Sequence, residues 1–407
     1  MKTTNVPIPG AEGPGVDGND RRRTKDARSF HPNAIVPRRH VGWLFLILFL
    51  LIAGLAIGAP VHTENTSPAA QDEPGTAPVH PQVPKLQTAL ERYRAIAAAG
   101  GWTAIKGTRK FYQQDITDPA VTLLKQRLRA SGDFTSDDTS SAFTEELTAA
   151  VKRVQKHFGF PENGVVDAAL LKELNVPLRK RIAQLEANLA RVQKLPEPAP
   201  GTRLVANIPE YKLHVYEGER LVFDMAVVVG SESNKTVLFN DEMTYLVFSP
   251  SWNVPPSIVK NEILPRMRGS HDYLWRNNYV MEGEEGGVPK IRQLPGAGNS
   301  LGRVKFVFPN ENNIYFHDTP AKSLFTLRKR AFSHGCIRLA EPQKLAEYLL
   351  RNNPEWTPAK IKTAMNSGRE QRVDLPGKVP VSLTYLTAWV DDDGALNFRE
   401  DVYGLDS

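Results

Sequence analysis

The sequence predicts an α+β protein in which a single apolar N-terminal helix and a small helical bundle precede a mostly-β second half. Three observations predict it: an uncharged apolar run at residues 41–59, helical spacing of apolar residues between Leu86 and Val192, and a change to strand-like alternation after Gly201. With 407 residues, 41% of them hydrophobic and 24% charged, the chain is long enough for two or three cores. The net charge is +6, of which residues 1–40, with eight Lys/Arg against four Asp/Glu, hold +4. The basicity is mostly that of a tail and gives no ground for a nucleic-acid partner.

Residues 1–40 read as a cytosolic basic tail. The run "VGWLFLILFLLIAGLAIGA" at 41–59 carries no charge, and as a helix it is about 28 Å long, close to the hydrocarbon thickness of a bilayer. Arg21, Arg22, Arg23, Lys25, Arg28, Arg38 and Arg39 precede it, so the positive-inside rule predicts a single-pass anchor in the inner membrane with everything after it on the periplasmic side. The small residues Ala56, Gly58 and Ala59 leave a cleaved signal peptide as the alternative, which exports the same part of the chain. Residues 60–84, rich in Pro, Ala and small polar residues, read as a linker.

Leu86, Leu90, Tyr93 and Ile96 begin a helical scaffold assigned to 85–113 and 177–200, interrupted at Gly100-Gly101 and resumed by Leu178, Ile182, Leu185, Leu189 and Val192. Within it, 114–176 reads as a separate small bundle. Asp118-Pro119 supplies the cap and first residue of one helix, Leu147, Val151, Val154 and Phe158 mark a second, and Leu170, Leu171 and Leu174 a third. After Gly201, "YKLHVYEGERLVFDMAVVVG" reads as a hairpin around Glu217-Gly218, and "MTYLVFSP", "GRVKFVFP" and "NIYFHD" as further strands of a domain ending near 375. It carries a weakly periodic insertion at about 255–302, expected to be a lid or binding loop or else disordered, and is followed by a C-terminal extension at 376–407.

Cys336, in "AFSHGCIRL", is the chain's one cysteine. A lone cysteine is most often a buried small hydrophobe, but this one has the surroundings of a nucleophile. His334 lies two residues away, and His317, in "YFHDTP", lies nineteen residues upstream at the end of a strand. A base or cation nearby favours the thiolate, and Arg338 adds positive charge. Gly335 leaves room for substrate, and the backbone N–H groups around Gly335 and Cys336 are expected as oxyanion donors. The histidines show no metal-type pairing, "GAGNSLG" at 296–302 is one residue too long for a dinucleotide fingerprint, and there is no GxSxG elbow, so neither a metal nor a cofactor is expected.

"HDTP", fifteen residues from Asp318 to Phe332, and "SHGCIRL" together resemble the catalytic signature of the bacterial L,D-transpeptidases, the YkuD-type domain. "PSWNVPPSIVKNEILPRM", "RQLPGAGNSLGRVKFVFPN" and "VPVSLTYLTAWVDDDGALNFREDVYGLD" resemble its large YcbB-type branch over roughly residues 85–407. The 114–176 bundle more loosely resembles a peptidoglycan-binding module, with Val154-Gln155, Phe158-Gly159-Phe160 and Asn163-Gly164 replacing Phe-Gln, His-Gly-Leu and Asp-Gly. Val237 stands where the family hairpin has a proline after Lys-Thr.

The resemblance implies that Cys336 attacks a peptidoglycan stem tetrapeptide with His317 as base and releases terminal D-alanine. An amine of a second stem then resolves the thioester into a 3–3 cross-link. It implies the backbone carbonyl of Asp318 as third member of the catalytic set, with His334 and Gly335 completing the motif. It implies Trp252 and Asn253 at the substrate groove and 255–302 as a capping subdomain; Tyr315 and Ser333 are expected there too, and Arg338 either pairs with a substrate carboxylate or pins the turn to a neighbouring acid. Tyr315 shares a strand face with His317 by the two-residue period alone. The resemblance also implies carbapenem-type β-lactams as covalent inhibitors. Release of the stem to water by a carboxypeptidase, or transfer to or from a lipoprotein, would use the same Cys-His pair, and a wall-binding scaffold without activity is the non-enzymatic reading.

Overall fold

The computed structural model describes residues 80–198 and 200–406. The tail, the apolar run at 41–59 and most of the linker lie outside the described residues. The expected fold class is corrected in one respect: among the described residues no helix is long and apolar enough to cross a membrane. The longest, α1 (Gln82–Ala98), has 17 residues and is amphipathic, burying Val83, Leu86, Leu90 and Tyr93 while Lys85, Glu91, Arg92 and Arg94 lie on its other faces. The described fold is a helical N-terminal part followed by a mostly-β domain.

The helical part continues with β1 (Phe111–Tyr112), α2 (Pro119–Ser131), α3 (Glu145–His157), β2 (Val166–Asp167), α4 (Ala168–Leu174) and α5 (Leu178–Val192). The Asp118 carboxylate accepts the Ala120 N–H at 2.9 Å with Pro119 in the first helical position, so α2 starts where its residues predict. Gln155, 2% exposed, donates to Asn163 Oδ1 and the Val165 carbonyl and accepts the Gly164 N–H, which fixes the Asn163-Gly164 turn from inside. One apolar cluster joins all five helices, and it includes Ala388, Val390 and Phe398 from the C-terminal extension. Phe398 stacks on Phe158 with ring centroids 5.7 Å apart.

The second half contains β3 (Thr202–Asn207), β4 (Lys212–Glu217), β5 (Arg220–Gly230), β6 (Asn240–Phe248), β7 (Trp252–Asn253), α6 (Pro256–Ile258), a π-turn (Val259–Ile263), α7 (Leu264–Gly269) and α8 (Tyr273–Arg276). It continues through β8 (Tyr279–Glu285), β9 (Val288–Gln293), β10 (Val304–Val307), β11 (Phe316–His317), β12 (Ala331–Ser333), β13 (Ile337–Leu339), α9 (Pro342–Leu349), α10 (Pro358–Met365), β14 (Gln371–Thr384), β15 (Ala388–Val390) and β16 (Leu396–Phe398). Nine strands form one sheet in the order β12-β5-β13-β11-β10-β6-β14-β3-β4, and β4 also pairs with β5, so the sheet closes on itself. Leu204, Leu213, Val227, Leu246, Phe306, Phe316, Ile337 and Leu339 are fully buried inside, and Leu345 and Ile361 of α9 and α10 join them.

The 255–302 insertion is an ordered subdomain. The antiparallel sheet β7-β9-β8 packs on the segment from α6 through α7, burying Val254, Ile258, Val259, Ile263, Val288 and Ile291 in a core of its own. Its weak sequence period follows from its parts: helical segments of three to six residues and a bulged hairpin are each too short to show one.

Candidate active site

Two neighbouring parallel strands build the site. β11 pairs with β13 in the register Phe316↔Ile337 and His317↔Arg338, and the Ile337 N–H donates to the Tyr315 carbonyl at 3.2 Å. Because Phe316, Ile337 and Leu339 point into the core, the two-residue period places Tyr315, His317, Cys336 and Arg338 together on the opposite face. The rings of Tyr315 and His317 meet edge to face at 5.8 Å.

His317 is 5% exposed, and its Nδ1 lies 2.5 Å from the backbone carbonyl of Asp318. A carbonyl only accepts, so Nδ1 carries the proton and Nε2 is left as the basic nitrogen on the face shared with Cys336. Burial pushes the imidazole pKa down to about 3, with Arg338 adding to the effect and the Asp318 carbonyl opposing it. The resting ring is therefore neutral. The Asp318 side chain faces elsewhere: its carboxylate accepts the Arg303 N–H at 2.9 Å and Lys322 Nζ at 2.6 Å. Gly302, at φ +63°, packs so closely there that a Cβ would overlap the Asp318 carboxyl group.

Cys336 is half-buried and its Sγ lies 3.6 Å from the Asn313 carbonyl, the geometry of a thiol donating a weak hydrogen bond. Burial pushes the thiol pKa up, against the backbone N–H and hydroxyl of Tyr315 and the guanidinium of Arg338, which favour the thiolate. Asn313 has a left-handed backbone, φ +52°, in a loop held by Asn310, whose side chain bonds the Phe308 and Ile314 carbonyls and the Ile314 N–H. Burial likewise raises the Tyr315 hydroxyl, reinforced by Cys336 and opposed by a hydrogen bond from Trp252.

The turn before Cys336 differs from expectation in two ways. Ser333, expected in the substrate groove, is 2% exposed, and its hydroxyl accepts the Gly335 N–H at 3.1 Å and donates to the Cys336 carbonyl at 2.5 Å. It staples the turn. The Gly335 N–H, expected as an oxyanion donor, is consumed by the same contact. Gly335, at φ +116°, adopts a backbone conformation that side chains disfavour, which explains glycine here. Its carbonyl accepts from Thr236 Oγ1 at 2.8 Å.

Sequence reasoning missed this second layer. Thr236 also accepts the Gly230 N–H at 2.9 Å, while its own N–H donates to the Tyr403 hydroxyl at 3.1 Å and that hydroxyl donates to the Gly230 carbonyl at 2.7 Å. The C-terminal extension thus reaches the turn before Cys336. Val237, where a proline was expected, is 45% exposed and outside this network. His334 pairs through Nε2 with Glu262 of the insertion at 2.8 Å. Arg338 has its Nε buried without an acceptor among the described residues. Trp252 is half-buried beside Tyr315, whereas Asn253 is exposed. The only local signals for the second layer were the flanking Lys235-Thr236 and the tyrosine of "DVYGLD".

Residues 201–364 match the family model described as "L,D-transpeptidase catalytic domain", and residues 117–174 match "Putative peptidoglycan binding domain". A curated relative from Haemophilus influenzae, described as "Putative L,D-transpeptidase", is 30% identical over 239 residues, covering 55% of this chain and 48% of the relative. The chain thus spans about half the length of the curated relative it matches. Among solved structures, an L,D-transpeptidase from Stackebrandtia nassauensis is 15% identical with a TM-score of 0.26, over 67% of this chain and 97% of that one. L,D-transpeptidase 3 from Mycobacterium tuberculosis, in complex with a faropenem-derived adduct, is 16% identical with a TM-score of 0.24, over 46% and 62%. It is the matches in sequence that carry the likeness: residues 201–364, within the β-domain, match the YkuD model of L,D-transpeptidase catalytic domains, and residues 117–174 before them match one of the peptidoglycan-binding type.

Proposed function

We propose that this chain is a cysteine-dependent L,D-transpeptidase that joins peptidoglycan stem peptides by 3–3 cross-links, acting where peptidoglycan lies, outside the cytoplasm. The observation that carries this reading is the hydrogen bond from His317 Nδ1 to the Asp318 carbonyl, on the strand beside Cys336. It sets the tautomer a general base needs, and the Asp318 carbonyl is available to stabilise the imidazolium that forms during reaction.

At rest the pair is a neutral thiol and a neutral imidazole. As Cys336 Sγ bonds to the carbonyl carbon between the third and fourth stem residues, its proton passes to His317 Nε2. The C–N bond to terminal D-alanine then breaks, and the leaving amine takes that proton. An amine of a second stem attacks the thioester, gives a proton to His317, and the thiol is restored as the new amide forms. Tyr315, with its hydroxyl near the sulfur and the Trp252 indole near its oxygen, is placed to donate to the developing oxyanion or thiolate. Arg338, on the same strand face, supplies positive charge for a donor carboxylate.

The test is incubation of the full chain with disaccharide tetrapeptide, read by mass spectrometry. Dimers carrying a 3–3 link support the transpeptidase. Tripeptide without dimers moves the assignment to a carboxypeptidase, and no turnover supports a wall-binding scaffold.

A further inference from the structure

The insertion reaches the catalytic motif through one residue. Glu262 lies in the π-turn Val259–Ile263, where Val259 and Ile263 are buried in the insertion's own core. Single π-turns of this kind recur at functional sites because the extra residue re-aims a side chain. The Glu262 carboxylate divides between His334 Nε2, at 2.8 Å, and Arg266 on the next turn, at 3.6 Å. His334 is two residues from Cys336, and Arg338, two residues beyond it, lies on the strand face of Cys336 and His317.

Arg338 has unused capacity on that face. Its Nε is buried and, among the described residues, donates to no acceptor, a costly arrangement for a guanidinium unless an acceptor arrives with substrate. Glu262 is also the acidic residue whose charge Arg338 feels. His334 and Arg338 thus lie two residues to either side of Cys336, and the group now held at His334 is a carboxylate of this chain.

We propose that Glu262 is a built-in placeholder for a donor carboxylate: it holds the insertion against the His334 and Arg338 subsite, and the donor stem enters by displacing it. This rests on the stem-peptide reading above. Entry then requires the 256–269 segment to release His334, which couples donor binding to movement of the cap. The arrangement lowers apparent affinity by the fraction of time the subsite is self-occupied; occupancy of about nine-tenths weakens donor binding about tenfold. It also keeps small anions from occupying the subsite unproductively.

The experiment compares donor binding by calorimetry to full-length Cys336→Ala and Cys336→Ala/Glu262→Gln proteins. Three disaccharide tetrapeptides are used: one with both carboxylates free, one with the terminal D-alanine amidated, and one with the diamino acid carboxylate amidated. Glu262→Gln keeps the shape and removes the charge, and Glu262→Ala serves as a second variant, with melting temperatures checked for both. The proposal expects about tenfold tighter binding of the unmodified donor on losing the charge. That gain should vanish for whichever amidated donor lacks the carboxylate that competes, which separates the two sources. With the active thiol restored, Glu262→Gln should lower KM and leave kcat within about twofold. Unchanged or weaker donor binding in both Glu262 variants overturns the placeholder while leaving the substrate reading intact. No binding by any of the proteins overturns both.

Discussion

His317 Nδ1 and the backbone carbonyl of Asp318 lie 2.5 Å apart, so Asp318 orients the neighbouring imidazole through the main chain while its carboxylate binds Arg303 N–H and Lys322. The two functions of Asp318 are separable. Asp318→Asn should leave kcat within about threefold, because the carbonyl remains, and should cost about 1 kcal/mol through the weakened Lys322 pair, which is partly exposed. Gly302→Ala should disturb both: its Cβ crowds Asp318 Cβ as well as the carboxyl group, which shifts the residue whose carbonyl holds His317, and its φ of +63° disfavours alanine. A loss of about 2 kcal/mol or more with a fall in kcat is expected. Denaturant melts and initial rates on both variants check this.

Neutral partners at rest predict a specific pH behaviour. With the Cys336 thiol raised by burial and the His317 imidazole lowered to about 3, the free enzyme holds no stable thiolate–imidazolium pair at neutral pH. Alkylation by iodoacetamide should climb with pH through and beyond the ordinary thiol range near ~8.5, with no plateau between about pH 5 and 7. Fast, pH-independent alkylation over that window contradicts the resting state described here.

The same shift acts on stability. His317 binds its proton more weakly folded than unfolded, so the unfolded chain takes up more protons between the ordinary histidine value and about 3. Its burial therefore costs stability as pH falls through that window and costs nothing above it. His317→Asn should flatten this part of the acid limb in denaturant melts, and an unchanged limb would show that other groups dominate.

Much of the site was legible because strand pairing preserves sequence order. A two-residue period and a parallel pairing of β11 with β13 are enough to bring Tyr315, His317, Cys336 and Arg338 to one face. Asp118-Pro119 and the buried stripe Val121, Leu124 and Leu128 fixed a helix for the same local reasons. What stayed hidden depends on distant partners. Thr236 finds Tyr403 across 167 positions, Glu262 reaches His334 from a separate small core, and neither residue type is distinctive in its own neighbourhood. Ser333 was assigned to the groove because the motif contains it, but only the turn geometry shows its hydroxyl spent on Gly335 and Cys336.

The link from the C-terminal extension to the turn before Cys336 is testable on its own. Tyr403→Phe leaves the buried Thr236 N–H and Gly230 carbonyl without the hydroxyl between them, and should cost about 1–3 kcal/mol. Thr236 holds the Gly335 carbonyl, so kcat should fall as well, while Phe398→Ala, in the helical core, should lose about 3–5 kcal/mol with a smaller effect on kcat in the remaining folded protein. Thermal melts and initial rates separate the two variants.

The central claim is that Cys336 carries the acyl group. Full-length wild-type and Cys336→Ala proteins incubated with disaccharide tetrapeptide, quenched in acid and read by intact-protein and product mass spectrometry, test it directly. A wild-type adduct with the mass of the disaccharide-tripeptide acyl group and 3–3 linked dimers are expected, with both absent from Cys336→Ala. Dimers formed equally by the alanine variant would contradict it.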